Sequence, residues 1–337
     1  MKASVYIGTF VAAALGVQAG VVAPTQPSIR NVYTFPKNTF IENIAVRSNS
    51  KLLITSMSVP DLFLIDPTVA NATAPIVHTF ANATGISGIA EISPDVFALV
   101  TGVWDLINTR AQLGSLAVWT VDFNRRTTPL VRFVTQIQNS TIFNGIVRHP
   151  TNPRILLAAD SALGAVWRVD LVSGAYGVAF VSPLLAPTET AHLGINGLKA
   201  AGSHLYFTNS AQKYFGKVGI DANGNQVGAI EVISNATAAG ADVVYDDIAL
   251  NLNKKRKNGQ AAPEAWIASH PDYAIGVSLV DGSQRVIADA VKLLNPTSAA
   301  FGRGSFKEEK TLYVTNGGEF TPEWDLINEG VVAIDLR

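Results

Sequence analysis

The chain has 337 residues, of which 48% are hydrophobic and 15% charged, and its formal net charge is −1. This apolar content is enough for a large core and excludes an intrinsically disordered chain, while the small net charge gives no indication of a nucleic-acid partner or a membrane partner. There is no cysteine, so disulfide bonds and thiol chemistry are excluded.

The first segment, residues 1–19, has the pattern of a secretory signal peptide. Lys2 supplies a positive charge, an apolar stretch runs to Leu15, and the small-x-small sequence VQA ends at residue 19. Four Asn-x-Ser/Thr sequons, the acceptor motifs of N-glycosylation, lie further along the chain. They are Asn71, Asn82, Asn139 and Asn235. We therefore expect a glycoprotein of the secretory pathway, with an extracellular location and a mature chain of residues 20–337.

A short phrase, an apolar run that ends in Asp, recurs through the mature chain. Its copies read LFLID, VWTVD, VWRVD, KVGID, VSLVD and VVAID, and they end at Asp66, Asp122, Asp170, Asp221, Asp281 and Asp335. Short strands that repeat roughly every 50 residues are typical of the blades of a propeller. The sequence therefore predicts an all-β fold, a six-bladed β-propeller formed as a single domain of residues 20–337. We expect the N-terminal strand to complete the last blade beside the C-terminal strands, which removes exposed sheet edges.

A second phrase precedes each copy and predicts the inner hairpin of each blade. Its first strand starts at Glu42, Ser87, Asn144, Asn196, Asp246 and Pro296. Because the start of one strand in a hairpin lies beside the end of the next, all six positions are expected at one mouth of the central channel. Turn chemistry explains any single position, and in Asn144-Gly145 we expect the glycine to allow a sharp turn into the strand. The ring of six as a whole indicates a ligand site.

Four of these positions carry hard oxygen donors, which suit Ca²⁺ or Mg²⁺ better than Zn²⁺. They are Glu42, Asn144, Asn196 and Asp246. Together with FNGI, INGL, DDIAL, PTSAAFG and TLYVTNGG, they resemble the SMP-30/gluconolactonase family of six-bladed propellers. The resemblance implies that the four residues surround a divalent metal in the channel. The first blade departs from the family by reading ENI instead of EGP, and the alternative is that Asp246 and Asn144 only cap loops.

The first blade, NTFIENIAVRSNSKLLITSMSVPDLFLIDP, points to a closer resemblance. With the signal peptide, the sequons and the lack of cysteine, it resembles secreted fungal propellers of natural-product gene clusters. The characterised branch consists of hetero-Diels–Alderases of tropolone–sesquiterpene biosynthesis. The resemblance implies a cycloaddition between a tropolone-type o-quinone methide and a humulene-type sesquiterpene. No cofactor is required for that reaction, and the partners are hydrophobic small molecules that the protein holds together.

Residues at and beyond the hairpin ends are the candidates for the site. His270 is the best-placed histidine, either to donate to a tropolone carbonyl or to help expel water from the quinone-methide precursor. Asn209 and Asn316 complete the catalytic candidates. The candidates for substrate binding are Ser161, Trp104, Tyr214, Trp266, Phe320 and Trp324. Trp266 and His270 are four residues apart, which places both on one face of a strand, with the neighbouring blade as the alternative partner of Trp266.

Three functions remain open on the sequence. The first is the cycloaddition. The second is a divalent-metal-dependent, lactonase-like hydrolase, in which a metal held by the four oxygen donors polarises a lactone carbonyl or activates water. The third is a non-catalytic propeller that binds small molecules. An intact donor ring favours the metal, whereas aromatic crowding around Trp104 and Trp266 favours an apolar ligand.

Overall fold

The computed structural model describes residues 27–125, 128–238, 241–255, 258–288, 293–305 and 308–336. The predicted signal peptide lies outside these ranges. Within them the chain forms thirty β-strands and two short 3₁₀ helices, at Pro183–Leu185 and Glu308–Lys310. No helix in this part of the chain has the length and apolar character needed to cross a membrane. All four sequon asparagines lie in the described ranges and are exposed.

The first strand of the chain belongs to the last blade and is separated from it in sequence. After it come blades I to III, and in each the strands run in chain order from the innermost to the outermost. The first strand is β1 (Ser28–Thr34). Blade I comprises β2 (Ile41–Val46), β3 (Leu52–Ser56), β4 (Asp61–Ile65) and β5 (Ile76–Thr79). Blade II comprises β6 (Gly85–Ser93), β7 (Val96–Gly102), β10 (Leu116–Asp122) and β11 (Leu130–Ile137), with β8 (Trp104–Asp105) and β9 (Arg110–Ala111) as a small hairpin before β10. Blade III comprises β12 (Phe143–Arg148), β13 (Ile155–Asp160), β14 (Ala165–Asp170) and β15 (Tyr176–Val181).

The second half of the chain forms the remaining three blades and two more small hairpins. Blade IV comprises β16 (Ile195–Ala201), β17 (His204–Asn209), β18 (Tyr214–Ile220) and β19 (Gln226–Asn235), followed by the hairpin of β20 (Thr237–Ala238) and β21 (Ala241–Asp242). Blade V comprises β22 (Val244–Asn251), β23 (Glu264–His270), β24 (Tyr273–Ser278) and β25 (Gln284–Ala288). Blade VI comprises β26 (Pro296–Phe301), β27 (Thr311–Asn316), β30 (Gly330–Asp335) and the N-terminal β1. The strands β28 (Glu319–Phe320) and β29 (Leu326–Ile327) form a small hairpin between β27 and β30.

The N-terminal strand closes the ring. Strand β1 pairs antiparallel with β30, with Ser28 opposite Asp335 and Thr34 opposite Gly330. The last blade therefore has the strand order β1-β30-β27-β26, in which both ends of the described chain meet. The predicted six-bladed propeller and its closure by the terminal strands are confirmed.

The core lies between the blades rather than within one central cluster. Six clusters of buried apolar residues form, one at each interface between neighbouring blades. The repeated phrase supplies the third strand of each blade, and its residues fill these clusters. Val118 and Trp167, for example, lie in the cluster between blades II and III. Since each blade buries both faces, the alternation of the sequence is only partial.

A ring of side-chain hydrogen bonds joins the blades around the channel. At each interface a hydroxyl group from the inner hairpin of one blade reaches the innermost strand of a neighbouring blade. The bonds to main-chain oxygens are Thr55 Oγ1 to Ser87 O (2.8 Å), Ser87 Oγ to Phe143 O (2.6 Å), Ser161 Oγ to Ile195 O (2.6 Å), Thr208 Oγ1 to Asp246 O (2.6 Å) and Thr297 Oγ1 to Ile41 O (2.9 Å). Blades V and VI are joined by Ser298 Oγ, which donates to Asp247 Oδ2 at 2.9 Å.

Every innermost strand has a β-bulge at the same register. In β2 the pairing with β3 shifts between Ile41 and Ile44, and the other five inner strands shift at the matching place. In blade VI the residue opposite Asn316 is Pro296, which therefore matches Ile41. Pro296 starts β26 as predicted, but it is not the sixth ring position, because Thr297 occupies the place of Glu42.

The glycines after the ring positions have a different role from the one expected. Gly88, Gly145 and Gly197 do not have a left-handed φ. A Cβ atom on Gly145 would lie 2.6 Å from Asn196 O, and one on Gly88 would lie 2.2 Å from Asn144 O. The absence of a side chain is therefore needed for the close approach of the next blade and not for a sharp turn.

We expect Gly145→Ala to lower the melting temperature, because the added methyl group would force two inner strands apart. Overpacking of this kind costs about 1–3 kcal/mol. Gly177→Ala in β15 is the matched control, since a Cβ atom there meets nothing within 4 Å. The measurement is thermal and urea unfolding of both variants, and equal stabilities would contradict the role assigned to Gly145.

We also expect that deletion of residues 331–337 unravels the propeller. The deletion removes nearly all of β30 and leaves β1 and β27 without the strand that lies between them. Circular dichroism and thermal unfolding of the truncated chain provide the test. An unchanged melting temperature would show that closure contributes nothing to stability.

Candidate functional site

The polar ring at the mouth of the channel lines one small pocket, of about 50 Å³. Five of the six ring positions contribute to it, namely Glu42, Ser87, Asn144, Asn196 and Asp246. The remaining walls are Phe40, Met57, Trp104, Thr109, Ile142 and Leu193. The structure thus brings the four predicted metal ligands and Trp104 to one place. The bulges explain how, because an extra residue in a strand re-aims the side chain beside it.

Glu42 is a buried carboxyl group, only 6% exposed, on the wall of this pocket. Burial raises its pKa well above the usual range, and the nearby charges of Asp246 and Asp247 raise it further. The neutral acid, which can donate a hydrogen bond, is therefore favoured over a wider range of pH than for an ordinary glutamate.

His270 lies at the rim beside Asp246, at the mouth end of β23. Its Nε2 is 2.8 Å from Asp246 Oδ2, and its Nδ1 contacts Asn295 Oδ1. Burial raises the pKa of Asp246, against the lowering effect of the His270 hydrogen bond and charge. Burial disfavours the charged form of His270, but the hydrogen bond and charge of Asp246 give a pKa above the ordinary value. Both ring nitrogens are engaged, so His270 orients Asp246 and does not present a free nitrogen to the pocket.

Two buried polar atoms of the pocket-lining residues have no hydrogen-bond partner among the described residues. They are the indole Nε1 of Trp104 and the amide Oδ1 of Asn196. The amide nitrogen of Asn196 donates to Ser210 Oγ at 2.9 Å, which fixes its orientation. An unsatisfied buried donor or acceptor costs about 1–3 kcal/mol. Trp104 Nε1 and Asn196 Oδ1 are therefore an unused donor and an unused acceptor on residues that line the same pocket.

A second polar layer lies directly beneath the ring. Ser298 Oγ is 2.9 Å from Asp247 Oδ2 and 3.1 Å from Asn43 Oδ1. Lys199 Nζ lies 2.8 Å and 3.0 Å from the two carboxylate oxygens of Asp247. We call Asn43, Asp247 and Ser298 the septum. Each directly follows a ring position in its strand, and the residues that line the lower half of the channel come after it.

The residues of the mouth pocket include oxygen donors of the types that bind divalent cations. The unpartnered Asn196 Oδ1 and the two carboxyl groups of Glu42 and Asp246 are oxygen donors of the kind that Ca²⁺ and Mg²⁺ take. The described residues contain no group of three His, Cys, Asp or Glu side chains placed to hold a metal. A cation here would therefore depend on the amides of Asn144 and Asn196 for half of the four predicted ligands.

Three predicted site residues have structural roles instead. Asn209 donates to Leu184 O and Ala186 O, at 3.0 and 3.1 Å, and holds the loop before blade IV. Tyr214 is buried and its hydroxyl group donates to the same Leu184 O. Ser161 forms the hydrogen bond between blades III and IV described above. Their polar atoms are engaged within the protein, and none of the three lines the mouth pocket.

Trp266 does not accompany His270 at the mouth. It is 4% exposed and packs against Phe301 of blade VI, with ring centroids 5.7 Å apart. Its Nε1 donates to Glu264 Oε2 at 2.9 Å, at the opposite end of β23 from His270. The predicted shared face did not bring the two residues together, because four residues along a strand span about 13 Å.

Phe320 and Trp324 lie on the outer rim and not in the pocket. They belong to the hairpin of β28 and β29, are 62% and 80% exposed, and have ring centroids 6.0 Å apart. Ile107, which is 95% exposed, tops the hairpin of β8 and β9. Both hairpins connect the second and third strands of a blade, so they rise on the mouth side of the propeller. Asn316 is buried at the mouth end of β27 and does not line the pocket.

Sequence reasoning missed several walls of the pocket and the lysine beneath it. Phe40 and Ile142 each precede a ring position by two residues, a regular spacing that could have identified them. Thr109 and Leu193 come from loops whose conformation the strand pattern does not determine. Lys199 lies three residues after Asn196 on an inner strand, where a lone charge among apolar residues is a usable signal.

Two relatives are similar to the chain over most of its length. One, from Sarocladium schorii, is named "Putative hetero-Diels-Alderase asR5" and is 25% identical, covering 87% of this chain and 79% of the relative. The other, from a Phoma species, is named "Putative hetero-Diels-Alderase" and is 26% identical, covering 87% of this chain and 88% of the relative. No family model matches the chain.

Solved structures share the fold at low sequence identity. A luciferin-regenerating enzyme superposes with a TM-score of 0.61 at 13% identity, covering 92% of this chain and 95% of that one. Regucalcin, a calcium-binding protein of Agrobacterium tumefaciens, superposes with a TM-score of 0.59 at 14% identity, covering 92% and 96%. The chain is thus a six-bladed β-propeller of the regucalcin-like architecture, and in sequence it is similar to proteins named as hetero-Diels–Alderases.

Proposed function

We propose that the protein is a hetero-Diels–Alderase that joins a tropolone-type o-quinone methide to a humulene-type sesquiterpene. The observation that carries the proposal is the similarity over 87% of the chain to the two relatives that bear this name. The tropolone-type and sesquiterpene reactants are those implied by the resemblance of the first-blade sequence to fungal hetero-Diels–Alderases of tropolone–sesquiterpene biosynthesis. The chemistry of the mouth pocket is compatible with such a reaction.

The reaction requires orientation and polarisation but no redox step. The heterodiene C=C–C=O and one C=C bond of the partner combine, so that one C–C and one C–O bond form and one new π bond remains. No proton or electron has to enter or leave. Holding two reactants in register can supply effective molarities of about 10⁵–10⁸ M in favourable cases. A hydrogen bond to the heterodiene oxygen stabilises the charge that develops there.

We assign the donors to that oxygen to two residues that line the pocket, Trp104 and Glu42. The Trp104 indole N–H has no partner among the described residues, and the Glu42 carboxyl group is held towards its neutral form. A volume of about 50 Å³ admits only the oxygen-bearing end of a reactant. The hydrocarbon parts then extend to the outer rim, where Ile107, Phe320 and Trp324 are exposed. The role of His270 is to keep Asp246 in place, since both of its ring nitrogens are engaged.

A metal-dependent, lactonase-like hydrolase is the second candidate function. It is favoured by the buried oxygen donors of the pocket, above all the unpartnered Asn196 Oδ1, and by the fold shared with the calcium-binding regucalcin. A divalent cation held by Glu42, Asn144, Asn196 and Asp246 would supply Lewis-acid polarisation of a lactone carbonyl. Asp246 would be oriented for this by His270.

We expect Trp104→Phe to slow cycloadduct formation by about tenfold or more, because one preorganised donor to a developing oxyanion contributes roughly 10²–10³ in kcat where it has been measured. In the assay, the o-quinone methide is generated in situ in the presence of humulene, and the cycloadduct is quantified by liquid chromatography and mass spectrometry. The rate without protein is subtracted. Trp119→Phe is the matched control, since that indole does not line the pocket and its Nε1 donates to Thr101 Oγ1 at 3.1 Å. If the two variants turn over equally, Trp104 is not the donor.

Glu42→Gln separates the two candidate functions. A glutamine keeps a neutral donor in the pocket but loses the carboxylate that a cation requires. We expect the variant to retain most cycloaddition activity, with Glu42→Ala losing it, and EDTA to leave the wild-type rate unchanged. A wild-type protein that carries stoichiometric metal and loses activity in EDTA, together with an inactive Glu42→Gln, would favour the hydrolase and refute the cofactor-free reaction.

A further inference from the structure

The lower half of the central channel contains a second cavity, separate from the mouth pocket. Its volume is about 390 Å³, which falls within the range of roughly 300–1,000 Å³ for small-molecule sites. All six innermost strands contribute to its walls, so it lies on the propeller axis. We call it the lower chamber. Its lining residues on the inner strands come two to four positions after the ring residues, on the far side of the septum.

The walls of the lower chamber are mostly apolar and small. Alanine occupies the same position, three residues after the ring residue, in four of the six blades: Ala45, Ala90, Ala249 and Ala300. Ile44, Ile89 and Ile146 line the level above them. Small residues at one level of four inner strands leave space, whereas isoleucines at that level would fill it. The repeated alanine therefore explains why the channel is open here.

One blade breaks this pattern with a charged residue. At the alanine level blade IV has Lys199, whose Nζ binds both carboxylate oxygens of Asp247 in the septum. An ammonium group has three N–H donors, and Asp247 is the only partner of Lys199 among the described residues. Its side chain is 29% exposed and lines the chamber. One donor at the inner end of an apolar cavity is thus available.

The charges around the lower chamber balance. Lys199 is paired with Asp247 at the inner end. At the outer end Arg303 is paired with Glu91 at 2.6 Å and also donates to Val46 O at 2.9 Å. A charged ligand would therefore gain no net electrostatic attraction and would lose its hydration. An uncharged ligand loses little on entry and can still accept a hydrogen bond from Lys199.

We propose that the lower chamber is a binding site for an uncharged, mainly hydrocarbon molecule with one carbonyl or hydroxyl oxygen, which accepts a hydrogen bond from Lys199. The site is independent of the proposed cycloaddition, because the septum lies between it and the mouth pocket. The hydrocarbon part occupies the alanine-lined space, and the oxygen lies at the inner end. The Arg303–Glu91 pair borders the outer end, where the side chains are 41% and 26% exposed.

The probe for this site is prodan, a neutral naphthalene ketone whose fluorescence shifts to the blue in apolar surroundings. We expect saturable binding of one prodan per wild-type protein. Ala300→Phe, which fills the chamber, should weaken binding at least tenfold. Ala200→Phe is the matched control, since it is an inner-strand alanine that does not line the chamber. Trp104→Ala, at the mouth pocket, should leave prodan binding unchanged.

A comparison of two probes on one variant tests the hydrogen bond to Lys199. Lys199→Met should weaken binding of prodan several-fold but leave binding of 2-(dimethylamino)naphthalene, which lacks the ketone, unchanged relative to wild type. Because both probes meet the same protein, a general loss of stability cannot imitate this result. No saturable binding to wild type, binding abolished by Trp104→Ala but not by Ala300→Phe, or equal weakening of both probes in Lys199→Met would each overturn the proposal.

Discussion

The close approach of the six innermost strands is the constraint on which the rest of the structure depends. A serine or threonine side chain is short, so it can bond to a carbonyl of the next blade only if the two strands nearly touch. Ser87 Oγ achieves this at 2.6 Å from Phe143 O, and the same spacing leaves no room for a Cβ atom on Gly88. The hydroxyl side chains and the glycines are therefore both consequences of the short distance between neighbouring inner strands. Closure by β1 and β30 maintains that distance around the ring.

The same narrow axis produces the division of the channel. Ring residues of the bulges point into the mouth, polar side chains of the septum bind one another, and alanines leave a space below. Burial at the mouth raises the pKa of Glu42, and the charge of the nearby Asp246 raises it further. Lys199 offsets the charge of Asp247 from the other side. A buried polar upper site and an apolar lower site thus arise on the same six strands.

The features of the fold that repeat from blade to blade could be predicted from the sequence. The roles of residues that depend on a single contact could not. The six phrases ending in Asp revealed blade number and closure, because each blade needs a similar third strand. The ring from Glu42 to Asp246 was found for the same reason. Pro296 was misplaced by one residue, since a bulge leaves no distinct signal among the polar residues at a strand start. Asn209 and Ser161 have the composition of a binding site, but their partners are main-chain carbonyls that no residue pattern identifies.

The pairing of β1 with β30 also has a consequence for how the protein is made. Strand β1 leaves the ribosome before the other strands of the propeller, and its partner β30 is the last of them to be synthesised. Until then the nascent chain has blades I to V with an unpaired β1 and no partner for the open sides of the first and fifth blades. Such exposed strand edges and apolar surfaces are the features that chaperones bind and that cause aggregation. The propeller becomes a closed body only after β30 has been synthesised, so its production depends on protection of the nascent chain as well as on final stability.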